Sequence, residues 1–470
     1  MKKQVRYILI TLVAALVIGA GAWAAITFLP ENEKENASSS ISQTVQLYQK
    51  ETVDAVSFEF VNHNDSFSIT RKDNGNFQIE VLADYNVSAT LINSYADSFC
   101  SVKARKKVAD SAEDLSLYGL DDPYATVTAT FKDETVTLLL GNQESTTSAY
   151  YGKLADSDTI YLFNASLATK MMASRKAFVN TQVTPTYNSE ELVEFERVEL
   201  SGSVRETPIV IVPTPDTGDE GDVFSYEVIS PGHAPFDITG GTDFLMSFLA
   251  LSADSVVELS PDEGVRAAYG FDAPLSVASV ESSAGKFTLT VGKIDGDYAF
   301  VMNDTDDVIY RVPTSAVELW VNAQYPDVVS KIFLVPHINT VKEVEVKTPE
   351  NTYVFAVSHD EENDVIFAKY NGKQINTENF QTYYQVLVSA YLENFTTERT
   401  DAEPMLTVTY RYHKGGEDVI SFTKSAQDAR QALIKLNGEY TDFSVRTVYV
   451  DKVIADAAKV AVNEEVNTTW

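Results

Sequence analysis

Apolar and polar residues alternate with a period of two over much of this chain, and the alternation stops and restarts at matching places. From Tyr124 to Phe131, Ala125, Val127, Ala129 and Phe131 share one face. Tyr124, Thr126, Thr128 and Thr130 share the other, the pattern of a half-buried strand. Lys132-Asp133-Glu134 predicts a turn, and Val136, Leu138 and Leu140 predict the inward face of the next strand, with Phe287, Leu289 and Val291 in the matching places further on. Each run follows a similar opening, Tyr118-Gly119-Leu120-Asp121-Asp122-Pro123 and Tyr269-Gly270-Phe271-Asp272-Ala273-Pro274. Gly141 and Gly292 come at the same spacing, then Tyr150-Tyr151-Gly152 against Tyr298-Ala299-Phe300, and Ile160-Tyr161 against Ile309-Tyr310. Gly119 and Gly270 suit a turn with positive φ, Asp121 and Asp272 suit local side-chain hydrogen bonds, and Pro123 and Pro274 suit a strand's first residue. The repeated series predicts a β-meander with a plain turn at its head.

A second kind of half-unit precedes each meander. In the first, strands are expected near 55–61, 67–71 and 77–81, then a helix from Ser88 with Leu91, Tyr95 and Phe99 on one face. In the second, strands are expected near 198–200, 209–212 and 224–229, and a helix carries Phe244, Leu245, Phe248 and Leu249. In the third they are expected near 341–346, 352–357 and 365–370, before a helix with Phe380, Tyr384, Leu387 and Tyr391. The third meander is degenerate: Asp401-Ala402-Glu403-Pro404 and the alternating Leu406, Val408, Tyr410 and Tyr412 remain, without the Tyr-Gly pair. Strands 432–436 and 446–450 and a short helix near 452–460 close it. Ser166 and Ser315 are expected N-caps, with Glu318 completing a capping box.

This series of residues resembles the bacterial domain-of-unknown-function family 4340 over about residues 50 to 335. Members of that family are usually membrane-tethered and often encoded beside gliding-motility-type ABC transporter components. The resemblance implies a location and a neighbourhood, and it supplies no catalytic residues.

The chain's start adds a membrane expectation. Lys2, Lys3 and Arg6 precede a run from Tyr7 to Leu29 without a charged residue, long enough to cross a bilayer as a helix. Basic residues before it and Glu31, Glu33 and Glu35 after it place the N-terminus in the cytoplasm and the body outside. A cleavable signal peptide, cut after Ala22-Trp23-Ala24, is the competing reading. The expected fold class is therefore α+β and β-rich: an N-terminal transmembrane helix, then three tandem repeats of antiparallel sheet with short helices. The expected divisions are a cytoplasmic end 1–6, a signal anchor 7–29, a polar stalk 30–49, and repeat domains 50–190, 191–337 and 338–470, packed end to end.

Charge and composition narrow the partners. Against 36 basic residues stand 68 acidic ones, a net charge of -32 spread along the body, which disfavours nucleic acid and anionic lipid headgroups. The 24 Tyr and 24 Phe suit sheets rather than disorder. Cys100 is the chain's one cysteine, so no internal disulfide forms, and it reads as a small buried residue.

Candidate chemistry is sparse. His63, His233, His337, His359 and His413 show no metal-type spacing, and no nucleophile elbow, Walker sequence or dinucleotide fingerprint occurs. Asp216, Asp219, Glu220 and Asp222 in one loop, and Asp304, Asp306 and Asp307 in another, are acidic clusters that read as solvated turns, with weak calcium binding as the alternative. Tyr150, Tyr151 and Trp320 would stack on sugars if exposed, and otherwise pack across strands. No catalytic residue, cofactor or metal is expected. The expected function is a membrane-anchored extracytoplasmic accessory or scaffold protein, working with ABC permease and ATPase subunits or other envelope proteins. The alternatives are a binding module for an envelope polymer and a cell-wall hydrolase.

Overall fold

The computed structural model describes residues 44–215, 224–237, 240–360, 362–363 and 365–470. Period-two alternation becomes strands because one face of each is buried: Ala125–Phe131 alternates buried and half-buried positions without a break. Among the described residues these strands form four antiparallel sheets, of two, eight, nine and nine strands. The chain divides after Phe178 into two compact units.

The first unit holds the eight-stranded sheet, in the order Phe77–Gln78, Ser66–Arg71, Ala55–Asn62, Ala125–Phe131, Thr135–Gln143, Tyr150–Leu154, Ile160–Phe163 and Lys106–Ala109. Beside it Val45–Gln49 pairs with Ser101–Ala104 as the two-stranded ribbon. The second unit holds both nine-stranded sheets. One runs Ala234–Pro235, Tyr226–Ser230, Ile209–Pro213, Phe195–Ser201, Ser276–Ser282, Gly285–Asp295, Tyr298–Asn303, Val308–Pro313 and Ser255–Leu259. The other runs Lys373–Gln374, Val365–Tyr370, Thr352–Asp360, Val341–Lys347, Leu406–Tyr412, Glu417–Lys424, Gln431–Leu436, Glu439–Arg446 and Asn394–Phe395. The plan is shared: the first strand of each half-unit pairs with the first strand of the meander, and a strand between the helix and the meander closes the far edge.

A defect recurs with the plan. Ala55 pairs with Phe131 but Ser57 with Thr130, Phe195 with Ser282 but Arg197 with Glu281, and Val341 with Tyr412 but Glu343 with Arg411. Each large sheet thus carries one extra residue at the same place, Val56, Glu196 or Lys342, and all three are exposed. Such bulges bend a strand and fix its register.

Helices cover one face of each large sheet. Ser88 caps Ala89–Cys100, accepting from the Leu91 N–H at 3.3 Å, and Phe99 sets its ring 5.2 Å from Phe60 and 6.4 Å from Phe58. Beside the second sheet, Phe248, just after the helix Gly241–Met246, meets Trp320 of the helix Glu318–Val321 at 5.2 Å. In the third, Phe355 meets Phe380 at 5.6 Å and Phe422 meets Tyr449 at 5.7 Å. Full burial of each such ring contributes about 1.5–3 kcal/mol.

The expected fold class is corrected on two points. No helix among the described residues is long and apolar enough to cross a membrane. The longest α-helix among the described residues, Thr447–Ala461 with 15 residues, spans about 22 Å at 1.5 Å per residue, against a hydrocarbon core of about 30 Å. The expected membrane helix, residues 7–29, lies outside the described residues. The sheets also number four, because Ser101–Ala104 leaves the first large sheet to pair with Val45–Gln49. Local readings shift too. Asn164, not Ser166, caps Ala165–Met171, and the capping box near the end of the second meander is Gln324 with Asp327 rather than Ser315 with Glu318. Strand 77–81 shortens to Phe77–Gln78, since Glu80–Leu82 turns as a 3₁₀-helix.

Candidate functional site

The motif at the head of each meander is a backbone corner. Gly119 has φ +65° and Gly270 φ +84°, conformations that favour glycine. Their loops lie so close to the second meander strand that a Cβ on Gly141 would stand 2.1 Å from the Tyr118 carbonyl oxygen, and one on Gly292 2.2 Å from that of Tyr269. The tyrosine then packs on the third strand: Tyr118 meets Tyr151 at 4.9 Å, and Tyr269 meets Phe300 at 4.7 Å. Lys293 lies 4.9 Å over the Tyr269 ring and donates to the Ala268 carbonyl at 2.7 Å. No hydrogen bond to the Asp121 or Asp272 side chain occurs among the described residues, so close glycine contact holds the turn.

The histidines stay apart. His63 packs its ring 4.4 Å from Tyr124, and His233 meets Glu227 at 2.7 Å. The His413 N–H and the His337 carbonyl both bond to Thr340, while His359 lies in Thr352–Asp360. Among the described residues no three His, Cys, Asp or Glu side chains gather as metal ligands. In the acidic hairpin Asp307 pairs with Arg266, and Asp306 accepts from the Tyr310 hydroxyl at 2.7 Å. Burial, with Asp307 nearby, pushes the Asp306 carboxyl up. Asp216, Asp219, Glu220 and Asp222 lie outside the described residues. Cys100 is buried and its thiol is pushed up by that burial. Trp320 is fully buried, whereas Tyr150 and Tyr151 are half-buried.

Arg205 is a residue that no sequence pattern marks. Its buried guanidinium donates to the carbonyls of Ala323 at 2.7 Å, Val321 at 3.2 Å and Trp320, and to Ser276 Oγ at 2.8 Å. It thereby satisfies the carbonyls at the end of Glu318–Val321, and burial lowers its pKa to about 10. Its role is packing.

The depressions are open. One of about 300 Å³ is lined by Thr348, Pro349, Glu350, Asn351, Tyr353, Met405 and Ile454. Another lies along the helix face at Thr90, Asn93, Ser94, Asp97 and Ser98. What distinguishes the three large sheets lies on the faces that the helices leave uncovered. In the second sheet Arg197, Glu281 and Lys286 are successive cross-strand neighbours beside the bulge, and in the third Glu343, Arg411 and Glu417 are. These charges are paired, Lys286 to Glu281 at 2.5 Å and Arg411 to Glu345 and Glu417 at 3.1 Å each. In the first sheet the same row is Ser57, Thr130 and Thr135.

A family model described as "Domain of unknown function (DUF4340)" matches residues 78–274 and 227–407, which together span 330 of the 470 residues. The chain belongs to the DUF4340 family. The matched regions of this DUF4340 protein include both Tyr-Gly corners. No curated protein and no solved structure matches the chain.

Proposed function

We propose that this DUF4340 protein is a non-enzymatic accessory or scaffold protein of the cell envelope, acting outside the cytoplasm beside an ABC-type transport system. One observation carries the scaffold reading: three large sheets share one strand order, the first lacking one edge strand, and one bulge position, while the uncovered row beside the bulge is hydroxyl-bearing in the first sheet and ionic in the other two. Fixed cores with varied outer rows suit a protein whose surfaces meet different partners. Catalysis needs the opposite, one constellation held at one place. The transporter association comes from the family resemblance and not from any residue described above, and the reading makes no use of residues 7–29.

The test is purification of the full-length protein from its own cells in mild detergent, with the retained proteins identified. Recovery of a permease and an ATPase subunit supports the proposal. Their absence, with the protein folded and other envelope proteins retained, would replace the transport association with the retained system.

A further inference from the structure

The uncovered face of the first sheet departs from its two counterparts at three registered places. Beside the bulge, the paired charges of the other sheets give way to Ser57, Thr130 and Thr135. The next row is Ser68, Glu59, Thr128 and Thr137, with the Thr128 and Thr137 hydroxyls 3.2 Å apart. On a chain of net charge -32, these two rows hold one carboxylate and no cation.

At the end of the face, Tyr124 is 39% exposed and shares a ring contact with His63. The residue following the same proline is Leu275 in the second sheet and Met405 in the third. Lys153, registered with Leu139 on this face, is only 7% exposed, and its ammonium makes no hydrogen bond, ion pair or ring contact among the described residues. Its registered counterparts are Met302, and Lys435, which lies 4.4 Å over the Tyr440 ring.

We propose that this face binds a neutral, N-acetylated glycan chain. Neighbouring strands lie about 4.8 Å apart and same-face residues about 6.8 Å apart along a strand, so the hydroxyls form a lattice of donors and acceptors. Sugar hydroxyls match such a lattice. Tyr124 offers a half-exposed ring beneath one sugar, and Lys153 donates to an acetamido carbonyl. A polyanion would be repelled by the acidic body, and a polycation would be drawn to carboxylates that these rows lack. Each contact is weak, and binding comes from their sum along the chain. The inference goes beyond the scaffold reading and stands or falls without the transporter.

The experiment titrates the full-length protein by calorimetry with the hexamer of N-acetylglucosamine. Cellohexaose lacks the acetamido groups, and a galacturonic acid oligomer carries charge. The expected order of affinity is the N-acetylated hexamer, then cellohexaose, with no binding of the acidic oligomer. Tyr124→Leu, which installs the second sheet's residue, is expected to weaken the hexamer about tenfold. Lys153→Met, likewise taken from the second sheet, is expected to bring the N-acetylated hexamer down to the affinity of cellohexaose. Replacing the hydroxyl row with the second sheet's ionic row (S57R/T130E/T135K) is expected to abolish binding with the melting temperature retained; if that variant does not fold, Tyr124→Leu decides. No saturable binding of the N-acetylated hexamer at millimolar concentration, or binding unmoved by Tyr124→Leu, would overturn the proposal.

Discussion

Gly141 and Gly292 leave no space for a methyl group, because the atom it would meet is a backbone oxygen that cannot rotate away. Gly141→Ala and Gly292→Ala are each expected to cost about 2–3 kcal/mol through strain at the corner. Urea melts would show it, and a loss below about 0.5 kcal/mol would mean that the turn moves freely off the strand. Asp65 is the first unit's matching case in charge. It accepts from the Arg175 backbone N–H at 2.7 Å, the Arg175 guanidinium at 2.5 Å and the Ser174 hydroxyl at 3.0 Å, fastening the end of the unit to a hairpin. Burial raises its carboxyl, and Arg175 and the other donors outweigh that and hold it below the ordinary value. A carboxylate depressed in the folded state stabilises fully above its unfolded pKa of about 3.9, and that stability disappears as pH falls through the lower folded value. Asp65→Asn is therefore expected to cost about 2 kcal/mol at pH 7 and progressively less below pH 4. Urea melts from pH 2 to 7 give the comparison; a cost that does not shrink with acid would show that charge is not the cause.

At the scale of elements, the C-terminal helix Thr447–Ala461 carries a fully buried acid, Asp456, between Lys452 at 2.5 Å and Lys459 at 3.2 Å. Asp456→Ala, which takes the shared partner from a largely buried Lys452 and a half-exposed Lys459, is expected to cost about 3 kcal/mol. Asp456→Leu combined with Lys452→Met is expected to cost less than the single change, and a greater loss would show that the ion pairs themselves hold the helix. Most strands were legible because one face is apolar, as at Leu406, Val408 and Tyr410, and both Tyr-Gly corners were legible because the spacing from Gly119 to Gly141 repeats from Gly270 to Gly292. The bulges were missed, although buried positions at 55, 58 and 60, at 195, 198 and 200, and at 341, 344 and 346 carry the same three-then-two interval. A strict period of two reads that interval as a strand end. The ribbon strand Val45–Gln49 falls within the expected stalk because its burial is shallow, and the Asp65–Arg175 pair joins residues 110 apart, a distance that no local pattern spans. The distinctive outer face of the first sheet was present as alternating threonines, but its meaning needed the cross-strand register that only the fold supplies.

At the scale of the whole molecule, a net charge of -32 makes the folded state repel itself. Raising NaCl from 10 to 300 mM is expected to lift the melting temperature by about 3 °C or more, since exposed ion pairs give back little when screened. A fall would mean that the pairs around Arg411 and Lys286 matter more than the excess of acid. The recurring bulge has a consequence for how such a molecule changes over time. Because the extra residue pins the same three cross-strand positions in every large sheet, each triplet behaves as a cassette read against a constant frame. One can be rewritten from salt bridge to hydroxyl while the phenylalanines and valines beneath it stay in place, so new recognition arises without new folding.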